Sequence, residues 1–198
     1  MDVLTDEFFE ERKGDLQKRL KPKRYSHSLG VASTAVSLAH TYGVNVSKAR
    51  LAGLLHDWDK NYSREEIQKR ALVLHVDLPA NVIETMPHIL HGFTAAEALH
   101  RDYPDLPADV INAIRYHTTG AQTMDDLAKI IYVADVLEPG RDFHGVNDLR
   151  KAAEEVSLDE LYFRVYQSAL TNVIAQGQFL YPASVEIWNA LVKTRENQ

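Results

Sequence analysis

Apolar residues recur at helical spacing along nearly the whole chain. Residues 3–20 predict a first amphipathic helix, with Leu4, Phe8, Leu16 and Leu20 among its apolar positions and a stop before Pro22. Residues 26–42 predict an Ala-rich second helix, with Gly43 placed to end it. A third starts near Ser47 and carries Leu51, Leu54, Leu55 and Trp58, an i, i+3, i+4, i+7 stripe. Ser63 and Glu66 have the spacing of a capping box opening a fourth. Residues 88–102 and 107–118 read as two helices split by "DYPDLP", with Pro107 suited to a first turn. "DDLAKIIYVADVLE" reads as another, ended by Pro139 and Gly140. Ser157 and Glu160 repeat the capping pattern before a long helix that reaches Gly177, and a last helix follows Pro182. Neither strand alternation nor an Asn-Gly hairpin turn interrupts this pattern. No repeat, low-complexity segment or linker divides it. The expectation is one all-α domain over residues 1–198, a helical bundle.

Composition narrows the chemistry. The 198 residues include no cysteine, so disulfides, thiolate metal sites and cysteine nucleophiles are excluded. The acidic N-terminus lacks the apolar stretch of a secretory signal, and no run approaches the roughly 18 apolar residues of a membrane span. A cytoplasmic protein is expected. The net charge of −6 argues against coating nucleic acid through a broad basic face. It leaves room for a small phosphorylated ligand, which needs only a few local cations or metals. The nine histidines stand out, because any metal site here must use nitrogen and oxygen ligands.

Of those histidines, His40, His75, His100 and His144 read as ordinary surface or core residues. Others have less ordinary settings. His27 follows "KPKRYS" at the expected start of the second helix. His56 and Asp57 directly follow the Leu-rich stripe. His91 adjoins Gly92 and an Ala-rich face that lets other backbones approach closely. His117 closes a helix before "TTG". Asp135 lies inside "IIYVADVL", where a carboxylate needs a metal or a cationic side chain beside it. These four imidazoles and two carboxylates suffice for two first-row metal ions that share a bridging carboxylate. In a continuous helix His56 and Asp57 would point about 100° apart. Both reach one site only if the helix end faces a crevice or the Asp bridges two ions.

"RYSHSLGV", "LAGLLHDWDK", "ILHG", "RYHTTG" and "IIYVADVLEPGR" occur in this order between residues 24 and 141. The set resembles the HD-domain superfamily of metal-dependent phosphohydrolases, and within it the YqeK-like bacterial symmetrical diadenosine tetraphosphate hydrolases. The resemblance implies an all-α HD fold, with a motif-bearing core at about residues 20–142 and C-terminal helices packed on it. It implies a dinuclear site, typically iron, with manganese, zinc or nickel also accepting these ligands. His27, His56, Asp57 and Asp135 would hold one metal, and Asp57 would bridge to a second held by His91 and His117. His88 lies three residues before His91 on the same helical side, as a rival or helper. Asp59 departs from the pattern: relatives carry a small residue there, so this carboxylate is either solvated or alters the phosphate pocket.

With no Cys and no Gly-x-Ser-x-Gly elbow, water is the natural nucleophile. A metal lowers the pKa of bound water from about 15.7 to about 7, worth roughly 12 kcal/mol of ionisation free energy. No neighbouring base matches that. Asp57 and Lys60 are the catalytic candidates. Lys60, Arg141, Arg24, Thr118 and Thr119 are the candidates for the phosphates, and Lys60 equally suits a plain helix-end lysine. Trp58 and Tyr116 are candidates to stack on a base, and fit the core better. The leading expectation is symmetrical cleavage of diadenosine tetraphosphate and related dinucleoside polyphosphates to give ADP. The runner-up is another HD-type nucleotidase or phosphodiesterase, followed by a nucleotide-sensing module with little turnover. The oligomeric state is left open, a homodimer included.

Overall fold

A computed structural model describes residues 3–196, with eleven α-helices and no strand among them. In chain order these are α1 (Asp6–Arg19), α2 (Pro22–Tyr42), α3 (Val46–Leu55), α4 (Arg64–Val73), α5 (Ala80–Thr85), α6 (Leu90–Asp102), α7 (Ala108–Tyr116), α8 (Asp126–Leu137), α9 (Val146–Glu155), α10 (Leu158–Ala175) and α11 (Ser184–Glu196). A single 3₁₀ turn, Pro87–Ile89, leads into α6. No helix among the described residues is long and apolar enough to cross a membrane.

The centre of the bundle is built from α2, α3, α7 and α8. α2 packs on α3 and α8, α7 bridges α3, α6 and α8, and α10 covers α8 from the other side. Leu54, Leu55, Ile114, Ile130 and Ile131 are fully buried there. Each such side chain contributes roughly 1.5–3 kcal/mol by leaving water. Small residues set how closely the helices approach. A Cβ on Gly53 would lie 2.8 Å from Ala32 Cα, so α3 meets the α2 backbone directly. A Cβ on Gly92 would lie 2.8 Å from the Arg115 carbonyl oxygen, which draws α6 equally close to α7. These two contacts bring the histidine-bearing segments together.

Several boundaries differ from expectation for local reasons. α2 starts at Pro22, not 26, because Lys21 is extended and proline opens the helix. His27 therefore sits inside α2. Asn45, not Ser47, caps α3 by accepting the Lys48 N–H at 2.9 Å. α3 ends at Leu55, so "HDWDK" forms turns beyond the helix rather than its last turn. Pro107 is the residue before α7, not within it. The Ser63–Glu66 capping box is complete. At α10, Ser157 accepts the Glu160 N–H, while the Glu160 carboxylate pairs with Arg164 and Arg195. The long helix stops at Ala175, two residues short of Gly177. The helices α5 and α9 were not expected.

Candidate functional site

His56 and His117 are the residues that end α3 and α7. His91 is in the first turn of α6, Asp57 follows α3, His27 lies in α2 and Asp135 lies near the end of α8. All six side chains converge on one point of the bundle. His56, Asp57, His91 and His117 are buried there, while Asp135 is partly exposed.

Three of the imidazoles are fixed in the same way. His56 Nδ1 donates to the Gly53 carbonyl at 2.7 Å, His91 Nδ1 to the His88 carbonyl at 2.9 Å, and His117 Nδ1 to the Ile114 carbonyl at 2.7 Å. A carbonyl only accepts, so each Nδ1 carries the proton and Nε2 faces inward. Burial, reinforced by Lys60, lowers the pKa of His91; burial and then His91 lower that of His117 well below the usual range. These two rings are neutral at pH 7, with Nε2 atoms that carry no proton. Burial also disfavours the charged form of His56, but the Asp57 and Asp135 carboxylates outweigh it and raise its pKa. His56 Nε2 is buried without a hydrogen-bond partner.

Asp57 stands between these rings. Its Oδ1 lies 3.2 Å from His91 Nε2 and 3.8 Å from His117 Nε2. Its Oδ2 lies 3.5 Å from His56 Nε2 and 3.8 Å from His27 Nε2. Each carboxylate oxygen thus faces its own pair of imidazoles. Burial opposes the Asp57 charge, yet His56 and His91 hold its pKa well below the usual range. Asp135 Oδ1 lies 3.0 Å from His27 Nε2. Burial opposes its charge too, and the bond to His27, then His56 and Arg141, hold Asp135 well below normal.

Inward lone pairs, carboxylates and an orphan buried nitrogen fit a hard or borderline metal cation. Two overlapping groups have ligand atoms within 4.8 Å of one another: His27, His56 and Asp135, and His56, Asp57 and His117.

A model of the HD domain matches residues 24–140. The chain belongs to the HD domain family. Two full-length relatives are each a "Bis(5'-nucleosyl)-tetraphosphatase, symmetrical". The one from Bacillus subtilis (strain 168) is 32% identical, over 92% of this chain and 97% of its own length. The one from Staphylococcus aureus (strain NCTC 8325 / PS 47) is 34% identical, over 87% and 89%. A crystal structure from Clostridium acetobutylicum, of a "predicted HD superfamily hydrolase involved in NAD metabolism", superposes with a TM-score of 0.87. It is 38% identical, and the match covers 94% of this chain and 97% of that one.

Around the HD centre the chain places three cations. Arg24 Nη1 donates to Asp57 Oδ2 at 3.0 Å. Arg141 grips Asp135 with Nη2 on the carboxylate and Nε on the backbone carbonyl at 2.8 Å. Lys60 Nζ lies 3.2 Å from His91 Nε2, and burial lowers its pKa. Arg24 and Arg141 also line a cleft of about 910 Å³ over His27, together with Lys21 and Lys23. Thr118 Oγ1 lies 2.9 Å from His117 Nε2 and 3.2 Å from His91 Nε2. The Thr119 hydroxyl is instead turned onto the Gly120 carbonyl at 3.0 Å.

Packing settles the roles of the remaining candidates. His88 serves through its backbone carbonyl on His91, while its side chain faces a neighbouring cavity. Asp59 is neither solvated nor in the phosphate cleft. It is buried and clasped by Arg19 of α1 at 3.1 Å and Arg70 of α4 at 2.6 Å. Trp58 is buried beneath the Arg19 guanidinium, and Tyr116 packs edge-on against Phe93. His40, His75, His100 and His144 are exposed, away from the centre.

Two residues were missed. Glu138 Oε1 accepts from His27 Nδ1 at 3.0 Å, the carboxylate–histidine arrangement that orients a metal-ligating imidazole. Its other oxygen accepts the Gly140 N–H at 2.7 Å, and a Cβ on Gly30 would press within 2.9 Å of it. Its signal was its place three residues after Asp135, one helical turn on. Arg150 of α9 donates to the Leu137, Glu138 and Arg141 carbonyls at 2.8–2.9 Å and so holds the turn that carries Glu138 and Arg141. Arg150 had no sequence signal, because the groups it holds in that turn are all backbone carbonyls.

Proposed function

We propose that this HD-family chain hydrolyses diadenosine tetraphosphate symmetrically to two ADP, and acts on related dinucleoside polyphosphates. The observation that carries the reading is Asp57, with one oxygen toward His27 and His56 and the other toward His91 and His117. Such a carboxylate suits two metals, one held by His27, His56, Asp57 and Asp135, the other by Asp57, His91 and His117. Iron is our assignment, with manganese, zinc or nickel as alternatives of the same ligand chemistry. When bound, the metals supply Lewis acidity and an ionised water.

The chain's own groups do the rest. Glu138 and the Gly53, His88 and Ile114 carbonyls keep the four imidazoles turned inward. Lys21, Lys23, Arg24 and Arg141 give the cleft the positive lining that a polyphosphate requires. Lys60 is placed to offset charge gathering on the phosphoryl oxygens. Thr118 offers a hydroxyl at the same edge. The names of the two tetraphosphatase relatives, matched over most of both chains, support the choice of substrate.

Chromatography of products from diadenosine tetraphosphate tests the reading. ADP as the sole nucleotide product is expected. AMP plus ATP would sink symmetrical cleavage. Turnover of nucleoside monophosphates with none of the dinucleotide would favour a nucleotidase.

A further inference from the structure

The cleft over His27 is lined by four cationic side chains beside Glu138 and Asp142, but a second opening beside the same centre carries no charged side chain. A cavity of about 160 Å³ lies between the Pro87–Ile89 turn, α10 and the 176–183 segment. It includes Thr118 and His88 in its lining, so it borders the centre at the His91–His117 side. No Lys, Arg, Asp or Glu lines it. Its walls are Met86, Ile89, Tyr166, Leu170 and Tyr181. At the rim stands Phe179, 70% exposed, a large aromatic face in water.

One buried hydroxyl in this wall has hydrogen-bonding capacity left over. Tyr166 is 3% exposed and its hydroxyl is buried without a hydrogen-bond partner. Ser184, also buried, lies beside it in the lining. With Ser184 as its one polar neighbour, this buried hydroxyl gains from a further polar partner in the pocket. The volume is below the roughly 300–1,000 Å³ of sites that enclose a drug-sized ligand. It suits one ring system with a polar edge.

We propose that this cavity seats one nucleobase of the substrate, stacked on Phe179 with its polar edge toward Tyr166 and Ser184. The proposal rests on the polyphosphate reading above. A dinucleoside polyphosphate joins highly charged phosphates to uncharged planar bases, and the two openings divide these chemistries between them. Stacking on an aromatic side chain is sequence-tolerant and strong enough to matter.

The test is calorimetric titration of the metal-loaded protein with ADP and, separately, pyrophosphate. Phe179→Ala removes an exposed ring, and Tyr166→Phe removes only the hydroxyl. Phe179→Ala is expected to weaken ADP binding about tenfold and leave pyrophosphate unchanged. Tyr166→Phe is expected to weaken ADP several-fold, again with pyrophosphate unchanged. Unaltered ADP affinity in both variants overturns the seat, and so does an equal loss for both ligands. Wild-type protein that releases ADP from the dinucleotide, while both variants bind ADP normally, loses only the nucleobase seat. Wild-type protein that releases no ADP loses the polyphosphate reading and the seat together.

Discussion

His91 Nε2 and His117 Nε2 lie 3.0 Å apart, and no proton joins them. Both rings spend their single proton at Nδ1 on backbone carbonyls. Two lone pairs therefore face each other in a buried space, held there by the close approach of α6 and α7 at Gly92. Such an arrangement is unfavourable alone and favourable around a cation.

Chelation should accordingly destabilise the fold. A metal present at about 100 times its Kd adds roughly 2.7 kcal/mol. For a domain of this size that is about 5–10 °C in Tm. Differential scanning calorimetry of chelated and reloaded protein checks this. A chelated protein that melts no lower would contradict the cation reading.

Asp57→Ala should cut turnover about a thousandfold or more, equivalent to about 4 kcal/mol of barrier. On the two-metal reading it should also lower the bound metal, which elemental analysis of wild type and variant measures. A variant that stays active and fully loaded would remove Asp57 from its bridging role.

Glu138→Gln keeps the shape but weakens the acceptor on His27. Loss of a carboxylate behind a metal-ligating imidazole typically costs 10–100-fold in affinity or activity. A similar loss is expected from Gly30→Ala, whose new methyl would crowd the Glu138 carboxylate from 2.9 Å. Metal titration of the two variants should give matching deficits. Wild-type affinity in Glu138→Gln would show that His27 needs no such support.

The pattern of what the sequence revealed follows from locality. The major helices were legible because their burial repeats every turn, as at Leu51, Leu54 and Leu55. The six candidate ligands, which the fold brings together, were legible because each sits in a short ordered motif. By contrast α5 has six residues, and α9 is mostly polar with only Val146 and Ala152 buried. α5 is too short to show a hydrophobic period, while α9 carries one in Val146, Leu149, Ala152 and Ala153 that its charged neighbours mask. The acceptors that orient His56, His91 and His117 are backbone carbonyls, which no residue type announces. Asp59 looked like part of the site because it is two residues from Asp57. Its partners come from 40 residues before it and 11 after, a pairing only the fold creates.

Asp59→Ala should therefore damage stability rather than chemistry. It would strand Arg19 and Arg70 against a buried gap, at a cost of roughly 3 kcal/mol. Urea unfolding should show the loss, while metal content per folded chain stays that of the wild type. Loss of metal with normal stability would return Asp59 to the active site.

Acid should weaken the metal-free protein before any carboxylate titrates. His91 and His117 bind protons less readily in the fold than in the unfolded chain, where histidine titrates near pH 6.5. Below that pH the unfolded state takes up more protons, so stability falls as pH falls. His56 acts in the opposite sense, since its raised pKa favours the folded state below pH 6.5. It is one group against two, and His117 is lowered further than His91 in direction and cause, by burial joined to the neighbouring ring. The urea midpoint of chelated protein should drop between pH 7.5 and 5.5. Protons also compete with metal for the same Nε2 lone pairs, so metal affinity should weaken over the same interval. A midpoint that rises on acidification would show that His56 outweighs His91 and His117, and would overturn the expectation that these two rings dominate the acid response.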